Sequence, residues 1–121
     1  MDLNSGCPID TITSRGCGSA LLTKPQRLVE VVAAMCDCLP SRQVTVKIRT
    51  GWDEKKPMAH KLIPMLQKMS HGRIAAVMIH GRSRSQRYSK DANWDYILEA
   101  ARSQGTINTH PSTHTHQPNK L

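Results

Sequence analysis

"VTVKIRTG", residues 44–51, is the stretch whose reading decides the fold. Alternation puts Val44, Val46 and Ile48 on one face of an extended strand and Thr45, Lys47 and Arg49 on the other. A strand of a parallel sheet is normally covered on both faces and reads as continuously apolar, so a lysine in its middle is an anomaly. Two readings stand. On an edge strand the Lys47 ammonium sits in water. On a covered strand it needs an electron-rich partner, and the functional reading is then a cofactor contact.

Two more apolar segments end in polar clusters, "MDLNSGCP" (1–8) and "AAVMIHGR" (75–82). Helical patterns lie between and after them. In "TKPQRLVEVVAAMCDCL", Thr23 can cap and Pro25 suits the first turn, while Leu28, Val31, Val32, Met35 and Leu39 share a face. In "PMAHKLIPMLQKMS", Met58, Leu62, Met65, Leu66 and Met69 repeat that spacing, and Pro64 predicts a late start or a kink. A third helix is expected after Asn93, through Trp94, Ile97, Leu98 and Ala101. Strands alternating with helices at intervals of about 30–40 residues predict parallel βαβ units, an α/β fold. Every polar cluster then falls at the C-terminal end of a strand, where barrels and doubly wound sheets both place their chemistry.

Those clusters hold the candidate site residues. Asn4 offers a donor and an acceptor, which suits the edge of a heterocyclic base. Cys7 has no CxxC partner, and since an ordinary thiol is protonated at neutral pH it reads as a proton donor or an inert buried thiol. His80 is followed by Gly81, which would let the backbone approach a ligand, and by Arg82 and Arg84, suited to phosphate; a purely structural histidine is the competing reading. Gly16 and Gly18 in "RGCGSALL" predict a tight turn. Cys36 and Cys38 point different ways on a helix, so packing rather than a shared metal is expected.

The chain has 121 residues, enough for one modest domain. Seventeen Lys and Arg against nine Asp and Glu give a net charge of +8, which favours a polyanionic partner, nucleic acid before anionic membrane. No apolar run approaches the roughly 20 residues of a membrane span, and the basic start of a signal peptide is missing. The four cysteines lack the spacing of a disulfide scaffold and read as reduced intracellular thiols. "GTINTHPSTHTHQPNKL", residues 105–121, has almost no apolar content and predicts a disordered tail. His110, His114 and His116 lack cysteine or carboxylate companions, so no metal site is expected there.

"DLNSGCPID", "SRGCGSALL", "VTVKIRTGW", "VMIHGRSRSQRYS" and "ANWDYI", in this order, resemble the tRNA-dihydrouridine synthases over residues 1–104. "GCPID" and "HGRSRSQRY" resemble most the eukaryotic subfamily that modifies position 47 of tRNA. The resemblance implies a TIM (β/α)8 barrel that binds FMN, is reduced by NADPH or NADH, and converts a uridine of tRNA to 5,6-dihydrouridine. By position it implies that Cys7 protonates carbon 5 of the uracil and that Asn4 lies beside the substrate base. Lys47 would contact the pyrimidine edge of the flavin, which accounts for a lysine in mid-strand, and His80 would also touch the flavin. Arg49, Arg82 and Arg84 would bind substrate RNA or flavin phosphate.

The same resemblance implies a barrel fragment of about three consecutive βα units, residues 1–104, followed by a non-homologous tail, 105–121. The chain would open inside the fourth strand. The flavin-binding first strand, the glutamine-bearing third strand, the phosphate-binding last strands and the helical tRNA-binding domain would all be missing. Cys17 stands where glycine is usual in the family. The expected partner is tRNA, with no membrane and no protein partner, in the cytoplasm and secondarily the nucleus. Two other classes compete: a catalytically inactive truncated product with residual RNA affinity, and a flavin-dependent reductase of free pyrimidines. The arginine-rich "IRTG" and "HGRSRSQR" segments and the positive charge favour RNA over a free base.

Overall fold

The computed structural model describes residues 1–103, so the expected tail and its histidines lie outside the described residues. Three strands form one parallel sheet in chain order: β1 (Asp2–Ser5), β2 (Val44–Arg49) and β3 (Ile74–His80). A short helix α1 (Asp10–Thr13) and a 3-10 helix (Gly18–Thr23) follow β1. Helix α2 (Pro25–Cys38) then returns the chain to β2, α3 (Ala59–Met69) joins β2 to β3, and α4 (Trp94–Arg102) follows β3. The alternation expected from the sequence is present. No described helix is long and apolar enough to cross a membrane.

The sheet has two unlike faces. Val44, Val46 and Ile48 are fully buried against Leu28, Val32, Leu62, Leu66, Tyr96 and Ala100, so α2, α3 and α4 cover one side. Each such aliphatic side chain removed from water contributes roughly 1.5–3 kcal/mol before chain entropy is charged against it. On the other side Asn4, Lys47 and Met78 are exposed. The edge-strand expectation for Lys47 is corrected. β2 is the central strand, not an edge, and Lys47 stands on a face that no described element covers.

Where tertiary partners choose the buried stripe, the helices depart from the sequence reading. In α2 the buried residues are Leu28, Val29, Val32 and Cys36, and Val31 faces outward. Thr23 does not cap that helix. It ends the 3-10 turn, donating from Oγ1 to the Ala20 carbonyl at 2.7 Å, and Pro25 begins α2 at the position where its missing amide costs nothing. Helix α3 runs unbroken through Pro64, which gives up only the amide that would have met the carbonyl of His60. In α4 the buried side chains are Tyr96 and Ala100, while Trp94 and Leu98 are exposed. Asn93 caps α4, its Oδ1 accepting from the Tyr96 amide at 2.9 Å.

Candidate functional site

The C-terminal ends of the three parallel strands lie side by side. Asn4 is paired with Lys47, Lys47 with Met78, and Arg49 with His80, so these side chains share the face opposite the helices, exposed at Asn4, Lys47 and Met78 and closed over Arg49. The sequence reading placed Asn4, Lys47 and His80 in one site; the register sets Asn4 directly beside Lys47, and His80 beside Arg49, two residues further along. Lys47 has no hydrogen-bond or ion-pair partner among the described residues. An unpaired ammonium in the middle of a sheet face leaves a donor available to an anionic or carbonyl-edged ligand.

Cys7 sits two residues beyond β1 in a turn held through the Gly6 amide, the Gly6 carbonyl and the Cys7 carbonyl. Asn4 Oδ1 accepts from the Gly6 amide at 3.0 Å, which leaves the Asn4 amide nitrogen as the free end. The Gly6 carbonyl accepts from Arg49 Nε at 2.7 Å. The Cys7 carbonyl accepts twice from Ser19, from its amide at 2.9 Å and its hydroxyl at 2.8 Å. Gly18 backs this turn at φ +58°, and a β-carbon there would lie 2.8 Å from the Cys7 oxygen. Glycine is required by both conformation and space. The thiol itself is half-buried and free.

His80 is held by its neighbour. Arg82 Nη1 lies 3.1 Å from His80 Nε2, and Arg82 Nε donates to the Lys90 carbonyl at 2.9 Å. Burial, then the positive charges of Arg49, Arg82 and Lys47, hold the His80 imidazole below its ordinary pKa, so the ring is neutral at pH 7. Tyr88 stands beside it, ring centroids 6.1 Å apart, and its ring also faces the Arg49 guanidinium at 5.4 Å. At 72% exposed, Tyr88 is a member of the site that sequence reasoning missed. Its signal was an aromatic ending the "HGRSRSQRY" run in a chain with 3% aromatic residues.

The three arginines expected to meet phosphate are engaged within the protein. Arg49 is 1% exposed and bonded to backbone carbonyls; burial pulls its guanidinium below the ordinary value, though it remains a cation. Arg82 serves His80 and Lys90, as above. Arg84 pairs with Asp10 and stacks over the Trp52 ring at 4.5 Å, and Arg87 joins it on the same carboxylate at 2.7 Å. These contacts hold the Asp10 carboxyl below its ordinary range, with Arg87 the larger cause. Gly81 also differs from its expected use. A β-carbon there would meet Ile97 at 2.9 Å and Ala92 at 3.1 Å, so the glycine admits the start of α4 rather than a ligand.

Cys36 is buried in the core, as packing predicts, whereas Cys38 is exposed and departs from that expectation. Among the described residues no group of three His, Cys, Asp or Glu side chains could hold a metal ion. Residues 1–106 match the family described as Dihydrouridine synthase (Dus). The chain is 48% identical over 99 residues to a Scheffersomyces stipitis protein, covering 82% of this chain and 16% of that relative. It is 46% identical over 101 residues to a Saccharomyces cerevisiae protein, covering 84% and 15%. With a Cryptococcus neoformans protein it shares 48% over 97 residues, covering 80% and 13%. All three relatives carry the name tRNA-dihydrouridine(47) synthase with the tag NAD(P)(+). The chain spans about one sixth or less of the length of these curated relatives.

Proposed function

We infer the function from one premise: this chain belongs to the dihydrouridine synthase family. We propose that residues 1–104 are three consecutive βα units of a TIM barrel, and that the protein reduces a uridine of tRNA to 5,6-dihydrouridine with FMN and NAD(P)H. Supporting the barrel are strands in chain order and helices on one side only; a doubly wound sheet would carry helices on both faces. The open face would then be the barrel interior.

The donor set fits a flavin. Lys47 presents an unpartnered ammonium to that face, and neutral His80 keeps a ring N–H, which together suit a planar ring with carbonyl and anionic edges. Lys47 and His80 would hold FMN, which when bound supplies the electrons of the reduction. The residues of this chain do the rest. Asn4, its oxygen engaged by Gly6, presents its amide N–H groups to the uracil edge and fixes the base. Cys7 delivers a proton to carbon 5 from a turn that cannot drift, because Asn4, Arg49 and Ser19 hold its backbone. A positioned acid of this kind contributes about 10²–10⁴-fold.

The observation that carries this reading is the Asn4–Lys47 register pair beside the immobilised Cys7 turn. It is tested by replacing the matched segment of the Saccharomyces relative with residues 1–103 and assaying tRNA from cells lacking that enzyme. Dihydrouridine should return, and Cys7→Ala should abolish it. A chimera that folds and binds flavin but leaves the uridine unreduced would defeat the proposal.

A further inference from the structure

Arg49 is the largest fully buried side chain among the described residues, and it enters no ion pair among them. Its Nε donates to the Gly6 carbonyl at 2.7 Å, and its Nη1 donates to Ser83 at 3.0 Å and Arg87 at 2.7 Å, both backbone carbonyls. One end of the guanidinium thus holds the turn before Cys7 and the other holds the loop after β3. A buried cation served only by neutral acceptors is an expensive way to fill space, and a hydrophobic residue of similar volume would pack more cheaply. The planar fork, however, can reach carbonyls in two directions at fixed separation, which a lysine cannot.

We propose that Arg49 is a positioning residue that fixes the Cys7 turn by bridging the Gly6 carbonyl to the Ser83–Arg87 loop. A second link runs in parallel outside it, where Asp10, three residues after Cys7, takes both Arg84 and Arg87. Arg87 therefore belongs to both links, through its carbonyl and its side chain. The Cys7 thiol is set against the third-strand cluster by a buried brace and an exposed one. The importance of that placement rests on the reading of Cys7 as the proton donor, but the brace itself does not.

The test is site-resolved alkylation of the 121-residue chain with iodoacetamide, read by mass spectrometry. Cys17 and Cys38 are exposed and serve as references, and Cys36, buried in the core, reports unfolding. In Arg49→Lys, Cys7 should react at least threefold faster relative to Cys17 while Cys36 stays protected. In Arg49→Ala the same gain should appear, and millimolar guanidinium, filling the vacated site, should reverse it. An unchanged Cys7 rate overturns the proposal, as does a rise of Cys7 only in parallel with Cys36, or a gain that guanidinium does not reverse. The readout needs neither flavin nor tRNA, so the chimera can fail to make dihydrouridine while the brace stands.

Discussion

Arg82 Nη1 approaches Nε2 of His80 to 3.1 Å, and because a guanidinium can only donate, that ring nitrogen is the acceptor. The proton of the neutral ring is therefore on Nδ1. Two residues apart at one strand end, the pair make a contact that fixes the tautomer of a histidine whose charge is set first by burial and then by Arg49, Arg82 and Lys47.

His80 should titrate below 6.5, with Nδ1 protonated at neutral pH, in an imidazole ¹⁵N NMR titration of the full chain. The sign for stability follows. The unfolded ring binds a proton more readily than the folded one, so this contribution is complete above about pH 6.5 and is lost as pH falls through the depressed folded value. Arg82→Ala should raise the His80 midpoint and release the tautomer. A midpoint above 6.5 in the native chain would contradict the assignment.

Cys7 and Lys47 should fail at different steps of the chimera's cycle. Cys7→Ala should leave bleaching of the flavin by NADPH near normal and slow its reoxidation by tRNA by about 10²–10⁴-fold. Lys47→Ala should slow the bleaching itself. Stopped-flow absorbance separates the two half-reactions, and normal reoxidation in the Cys7 variant would remove the thiol from the chemistry.

Gly18→Ala should cost more than Gly16→Ala, although both glycines have positive φ. At Gly16 nothing lies within 4 Å of the added carbon, so only backbone strain of about 1–2 kcal/mol is incurred. At Gly18 the carbon meets the Cys7 carbonyl at 2.8 Å, and backbone cannot yield cheaply. Urea unfolding of the two variants, compared side by side, would refute the packing argument if their midpoints coincide.

Tyr96→Phe should loosen the α3–α4 contact. The buried Tyr96 hydroxyl lies 2.7 Å from His60 Nδ1 and accepts from the His60 amide at 3.2 Å. Removing it leaves a partly buried donor unsatisfied, a loss of about 1–3 kcal/mol. The change in urea midpoint measures it, and a variant as stable as the parent would show that water replaces the hydroxyl without penalty.

Alternation and helical period are local properties, and they made the strand–helix order and the three strand-end clusters legible in the chain itself. Asn4 and His80 were recognisable because a polar residue ending an apolar run is visible without knowing what it touches, and Lys47 because a charge interrupts such a run. Residues 44–49 show both the reach and the limit. Their alternation correctly separated Val46 from Lys47, but not which face would be covered.

The sequence by itself determined the parallel α/β order, the basic charge and the set of residues at the strand ends, because each follows from neighbours a few positions apart. Only the tertiary structure decided what those residues do to one another. It buried Arg49, expected to meet RNA or flavin phosphate, and bonded it to the carbonyls of Gly6, Ser83 and Arg87, which lie 43, 34 and 38 residues away. It likewise assigned Gly81 to the approach of α4, and brought Tyr88 beside His80. A hydrogen bond or a close contact between distant segments exists only once the sheet has set them side by side, and no local pattern encodes which segment that will be.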